Sequence, residues 1–297
     1  MDAGHKSVAG LATWLMAQRA RRVVFIAGLF PLPVLGLLSA ATVVMATQLR
    51  GPREALTDCA LALLLLCGIA WFSGMDVPLV AASAAISWLV WLGLGSLGRW
   101  SLTLAMQGAV LLALLGLVLL LVVVDDPVTY WATMLETVYQ DLTKQGMLAE
   151  ADLVEADILA QATLMSGLVL TGSLIASTLA LLLGSAWASA VRDGNYAQQF
   201  RELQLGYVIG GLAAVIGVAE LFGLATSGAL LIFGAGFMFQ GISVVAWWAK
   251  NLGWPRGWWI GLCILPVLLP ALLIMVLLLF AAIGFIDNWY SLRRKPA

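Results

Sequence analysis

Charge is the first thing this 297-residue chain lacks. Only 10% of its residues are Asp, Glu, Lys or Arg, against about a quarter in soluble domains. Together with 62% hydrophobic residues and 13 tryptophans, that shortage excludes an ordinary water-soluble globule and marks a polytopic membrane protein. Histidine is nearly missing as well. The one histidine, His5, stands in the N-terminal stretch with no neighbouring ligand set, so the usual His-based metal and Ser/His arrangements have no basis here. Cysteine is scarce: Cys59, Cys67 and Cys263 all lie in apolar runs without CxxC spacing, which suggests neither a disulfide framework nor a zinc site. A net charge of −1 leaves no overall basic field, so nucleic acid is not an expected partner.

Catalytic and nucleotide-binding motifs are lacking too. No GxxxxGK[ST], GxSxG or HExxH occurs, so the chain is read as no enzyme and as no P-loop ATPase. GLGSLG at 93–98 matches GxGxxG, but it ends an apolar helical run instead of joining a strand to a helix. Close packing of small residues is the better reading, and no cofactor is expected.

What the chain has is long apolar runs, at 23–48, 55–72, 78–97, 101–124, 159–187, 205–223, 227–248 and 258–287. Tryptophans gather at their ends, as rings that favour the headgroup level do. The expectation is an all-α polytopic bundle forming one membrane domain over 1–297. Ahead of the first run, Val8, Leu11 and Leu15 recur at helical spacing beside Trp14 and before the Arg19, Arg21 and Arg22 cluster. Residues 1–22 are therefore read as an amphipathic helix on the membrane surface.

The charges that remain are sorted by place. Eight of the 16 acidic residues fall between 125 and 157, where Lys144 is the only base, and the other 14 bases lie in the two tails and in loops elsewhere. Basic loops stay cytoplasmic. If all eight runs crossed once, the basic tails and the basic loops would face opposite sides. The overlong runs 23–48 and 258–287 carry prolines, in FPLPV at 30–34 and PVLLP at 266–270, which break or kink a helix. If both enter and return, every base but Lys144 shares one face. That arrangement gives six full crossings, two broken segments, cytoplasmic termini in a bacterial-type inner membrane and an external acidic hairpin over 125–158. In the hairpin, Asp126 caps a helix opening at Pro127, with Val128, Trp131, Leu135, Val138 and Leu142 as its apolar stripe and Gly146 as its stop.

Polar groups inside apolar runs are the leads to a site. Asp58 and Asp287 lie near segment ends and are read as interfacial. Glu220 and Gln240, with Phe237 and Phe239 beside the latter, are the candidate ligand-binding residues, although Gln240 also suits an interhelical hydrogen bond. Arg192, Arg201, Lys250 and Arg256, in the basic aromatic stretches RDGNYAQQFRELQLG and KNLGWPRGWW, are the candidate docking residues.

LRGPREAL at 49–56, RDGNYAQQFRELQL at 192–205, FMFQGISVVAWWAKNLG at 237–253 and IGFIDNWYSLRRK at 283–295 together resemble the YybS-like family of membrane proteins, grouped with the substrate-binding S components of energy-coupling-factor transporters. The resemblance implies a helical bundle with an outward-opening pocket and a cytoplasmic face that engages a membrane coupling protein and its ATPases. It names no substrate. Ala81 and Ala85 stand at the AxxxA spacing that such components use for docking. The expected function is small-solute binding or a transport subunit; the alternative is a non-transporting scaffold that recruits envelope or cytoplasmic proteins.

Overall fold

A computed structural model describes residues 3–32, 34–147, 155–192, 194–222, 228–255 and 270–293. Among them the chain forms twelve helices and no strand: α1 Ala3–Ala17, α2 Arg19–Leu29, α3 Gly36–Arg50, α4 Pro52–Phe72, α5 Val77–Gly98, α6 Leu102–Val123, α7 Pro127–Lys144, α8 Glu155–Arg192, α9 Tyr196–Arg201, α10 Gly206–Leu221, α11 Ala229–Asn251 and α12 Pro270–Tyr290. The punctuation is that of the sequence. Gly51, at φ 101°, turns the chain between α3 and α4, and Pro52 opens α4 where its missing N–H costs nothing. Asp76 caps α5 by accepting from the Leu79 amide at 3.0 Å.

Among the described residues six helices are long and apolar enough to cross a bilayer: Pro52–Phe72, Val77–Gly98, Leu102–Val123, Asp157–Arg192, Ala229–Asn251 and Leu272–Tyr290. The expected number is met with one exchange of member. The run 205–223 yields α10, whose 16 residues span about 24 Å, while the run 258–287 contains a continuous helix of spanning length. Pro270, the last proline of PVLLP, is the first described residue of α12. Residues 256–269, with the rest of that motif, Cys263 and Arg256, lie outside the described residues.

The run 23–48 is broken where its prolines stand. Helix α2 ends at Leu29 and α3 begins at Gly36. The two run antiparallel, because the Ser39 hydroxyl donates to the Ile26 carbonyl at 2.8 Å while Arg50 donates to the Met16 carbonyl at 3.2 Å. The segment thus folds back to the end from which it started, the shape that the charge count calls for. The Trp248 indole N–H donates to the Leu292 carbonyl at 3.4 Å, so α12 finishes at the same end as α11 and the two run in parallel.

By packing, the chain divides into two compact units, residues 1–109 with 175–203 and residues 110–174 with 204–297. The first has a core of Leu15, Ile26, Met45, Leu66, Trp88 and Trp187, with the Phe30 ring edge-on to Trp88 at 5.3 Å. A Cβ on Gly184 of α8 would come within 2.6 Å of the Ala41 carbonyl oxygen, so only glycine permits this approach of α8 to α3. Of the stretch expected as one helix over 1–22, residues 3–17 form α1 and those from Arg19 on belong to α2, and the apolar residues of α1 are divided. Ala12, Leu15 and Met16 are buried in the unit, whereas Leu11 and Trp14 are exposed, with the Arg21 guanidinium 4.7 Å above the Trp14 ring.

Asp58 corrects the reading of an interfacial carboxylate. It is 1% exposed, and each of its oxygens accepts from the Nε of a different arginine, Oδ1 from Arg19 and Oδ2 from Arg22, both at 2.7 Å. Burial that deep is tolerable for a carboxylate only when it is paired.

In the second unit α7 opens as its sequence dictates. The Asp126 carboxylate accepts from the Thr129 amide at 3.1 Å and from the Thr129 hydroxyl at 2.7 Å. Trp131 donates to the Ser166 hydroxyl at 2.8 Å and Tyr139 to the Gln161 side-chain oxygen at 2.6 Å, which lays α7 along the N-terminal part of α8. Thr129, first through its hydroxyl and then through its amide, holds the Asp126 carboxyl below the usual carboxylate range. The depressed value means that the cap's contribution is complete above the ordinary carboxylate pKa and is lost as pH falls through the lowered one. Protection of the Thr129 amide, relative to amides in mid-helix, is therefore expected to fall only under acid conditions. In Asp126→Asn, which caps without ionising, that acid dependence is expected to vanish; an unchanged profile would remove Asp126 as its source.

Candidate functional site

Helices α10, α11 and α12 form a group in which α10 runs antiparallel to the other two. Leu205 and Gly206, at the start of α10, bond to Gln240 and Asn288, whereas Gly217 lies beside Leu230, near the start of α11. What brings α11 and α12 together is glycine. A Cβ on Gly241 would fall on the Phe280 carbonyl and one on Gly284 on the Phe237 carbonyl, so the two backbones touch where any side chain would separate them.

One end of this group is closed by a polar knot. Gln240 is fully buried; its oxygen accepts from the Leu205 amide at 2.9 Å and its NH2 donates to Asp287 Oδ2 at 2.9 Å. Asp287, also fully buried, takes Arg293 Nη2 on the same oxygen at 2.6 Å and Arg293 Nε on Oδ1 at 3.3 Å. Arg293 reaches on to the Ser243 hydroxyl at 3.2 Å. Asn288 grips Gly206 twice, accepting from its amide at 2.9 Å and donating to its carbonyl at 2.8 Å. The first amides of a helix have no partner within it, and here Gln240 and Asn288 supply them from neighbouring helices. Asp287, like Asp58, is thereby an interior ion-paired group and not the interfacial one expected.

Beyond the knot the three helices part into a crevice of about 570 Å³ with no charged residue in its lining. Ala213, Gly217, Gly234 and Ala281 leave the space, and Phe237 and Phe285 form part of its wall with ring centroids 5.3 Å apart. A pocket of this size, apolar and lined by aromatic and small residues, suits a small molecule.

The candidate residues are distributed over this geometry. Phe237 lines the crevice. Gln240 lies nearly a turn further along α11 with both ends of its amide engaged, in the interhelical role the sequence also suited. Phe239, buried, is two residues on from Phe237, about 200° around the helix, and is not in the lining. Glu220 is half-buried beside Leu221, a lining residue. Since Gln240 binds Leu205 at the other end of α10, the two polar candidates are separated by about 22 Å along that helix and do not share one site.

Among the docking candidates, Arg192 donates to the Gln48 carbonyl at 2.6 Å and the Leu49 carbonyl at 3.3 Å, capping the end of α3. Arg201 is half-buried in the last turn of α9, Lys250 is exposed at the end of α11, and Arg256 lies outside the described residues. The sequence reading missed Asn288 and Arg293. The signal for Arg293 was its place six residues beyond Asp287, where the Ser291 turn at φ 49° folds it back onto the helix end. Compared with known proteins, the chain matches no family model, no curated protein and no solved structure.

Proposed function

We propose that this integral membrane protein is a non-enzymatic binding subunit for a small apolar or amphiphilic solute, held in the crevice between α10, α11 and α12. It works as an S-component-like transport subunit whose energy comes from separate membrane coupling and ATPase partners. The crevice is the single observation that carries the reading. It has the volume of a small-molecule site, it is built from residues on three apolar helices, two of them long enough to cross a bilayer, and the knot fixes those helices at one end so that the space is preformed. The charge pattern adds an orientation, with the basic ends and both termini cytoplasmic in an inner-type membrane and α7 outside.

The test is to purify the full chain from native membranes into nanodiscs and identify the small molecules retained. Wild type is expected to hold one stoichiometric compound. Gly217→Leu, whose Cβ would meet only Leu230 at ordinary contact distance, places its side chain at the crevice wall and is expected to reduce retention by about tenfold, on the order of the 1.4 kcal/mol that such a factor represents, with thermal stability kept. Equal retention by the two proteins, or recovery of bulk phospholipid alone, would sink the binding reading. The scaffold reading would then lead, favoured by the exposed Tyr130, Met134 and Val138, which share one face of α7 at i, i+4 and i+8.

A further inference from the structure

The Asp58 clamp fixes more than the fold. Because Asp58 takes only the Nε of each arginine, the outer nitrogens of Arg19 are left with no partner among the described residues, and Arg22 commits only one of its own, to the Met16 carbonyl at 3.4 Å. Both arginines line an open pocket of about 520 Å³ together with Arg53, Glu54 and Thr57. Arg22 lines it although its side chain is only 6% exposed, so its guanidinium is nearly desolvated. Arg53 is exposed and its side chain has no partner among the described residues.

The pocket also lies at the start of α4. Gly51 offers no side-chain cap and Pro52 no N–H, so the positive end of a 21-residue helix adds to the three guanidinium groups. Against three positive charges stand two negative ones, Asp58 and Glu54. Asp58 is spent on the two Nε bonds, which leaves Glu54 as the one acidic group open to an occupant. Planar, forked donors held side by side by a buried carboxylate are suited to a tetrahedral oxyanion.

We infer that this pocket binds a phosphate-bearing anion through Arg19, Arg22 and Arg53. The inference is independent of the crevice, which is built from other residues. The phosphate can belong to an anionic phospholipid headgroup or to a free phosphate compound, since both present the same oxygens. Glu54 sets the sign of a distinctive effect. It opposes the anion, so neutralising it strengthens binding, whereas a pocket that serves only to hold the helices together would show no such gain.

The full chain is used in both arms of the test. In detergent, inorganic phosphate is titrated calorimetrically; in nanodiscs of phosphatidylcholine with or without phosphatidylglycerol, retained lipid is measured by native mass spectrometry. Binding is expected in at least one arm. Response to inorganic phosphate assigns a free compound, and selective retention of phosphatidylglycerol without it assigns a headgroup. In the positive arm Arg53→Gln is expected to weaken binding by about tenfold, the size of one charge-assisted bond, and Glu54→Gln to tighten it several-fold. Neither exposed side chain is bonded among the described residues, so both variants keep the clamp and the fold. No binding in either arm, or binding that neither substitution alters, would overturn the inference.

Discussion

Asp58→Asn is expected to lower the stability of the chain by about 3–5 kcal/mol, read as the loss of cooperative unfolding of the N-terminal helices in detergent by tryptophan fluorescence. The size follows from Arg22. Its side chain is 6% exposed and its Nε has Asp58 as acceptor, so removing the carboxylate charge leaves a guanidinium desolvated without a counter-ion. Arg19 serves as the internal comparison. Half exposed, it can turn to water, and Arg19→Gln is expected to cost about 1 kcal/mol or less, as surface pairs do. Replacing all three together, Asp58→Leu with Arg19→Met and Arg22→Met, is expected to recover most of the loss, because apolar packing often matches a buried ion pair. If Asp58→Asn unfolded like wild type, the clamp would not be holding α2 to α4.

The second large effect is a single methyl group. Gly241→Ala and Gly284→Ala each place a Cβ on a carbonyl oxygen of the neighbouring helix, and a backbone, unlike the end of a flexible side chain, cannot turn aside. Helix α12 must move off α11, which breaks the Gln240–Asp287 bond. The expected cost is about 3 kcal/mol, at the upper end for an overpacked core. Gly211→Ala is the control. A Cβ there meets nothing within 4 Å, so the ordinary gain of up to about 1 kcal/mol for alanine over glycine in a helix is expected instead. Thermal unfolding of the three variants decides the matter; equal midpoints would mean that α11 and α12 are not packed through these glycines.

The helices were legible because their causes are local. Apolar runs of spanning length, a proline after Gly51 and the Asp126–Pro127 start each act within a few residues. The return of 23–48 was legible from charge placement. The interior ion pairs were not, because Arg22 and Asp58 stand 36 residues apart and no periodicity connects them. Near the end of an apolar run, the sequence of an aspartate paired inside the protein is the same as that of one facing headgroups. The crevice was hidden for another reason. It arises where small residues on three helices coincide, and among 30 glycines nothing in the sequence distinguishes Gly217 and Gly234 from those that merely pack. Gln240 was found, but its polarity serves the knot; the neighbouring Phe237 reaches the crevice.

The order in which the clamp is synthesised has its own consequence. Arg19 and Arg22 leave the ribosome before Asp58, and the α2–α3 hairpin between them contains no acidic residue at all. Two guanidinium groups without a counter-ion are costly to bury in a bilayer, so the hairpin is expected to stay at the headgroup level until the first turns of α4 arrive. Insertion of the N-terminal third is thus expected to be complete only once Asp58 has been made, with α4 as the helix onto which the earlier ones fold.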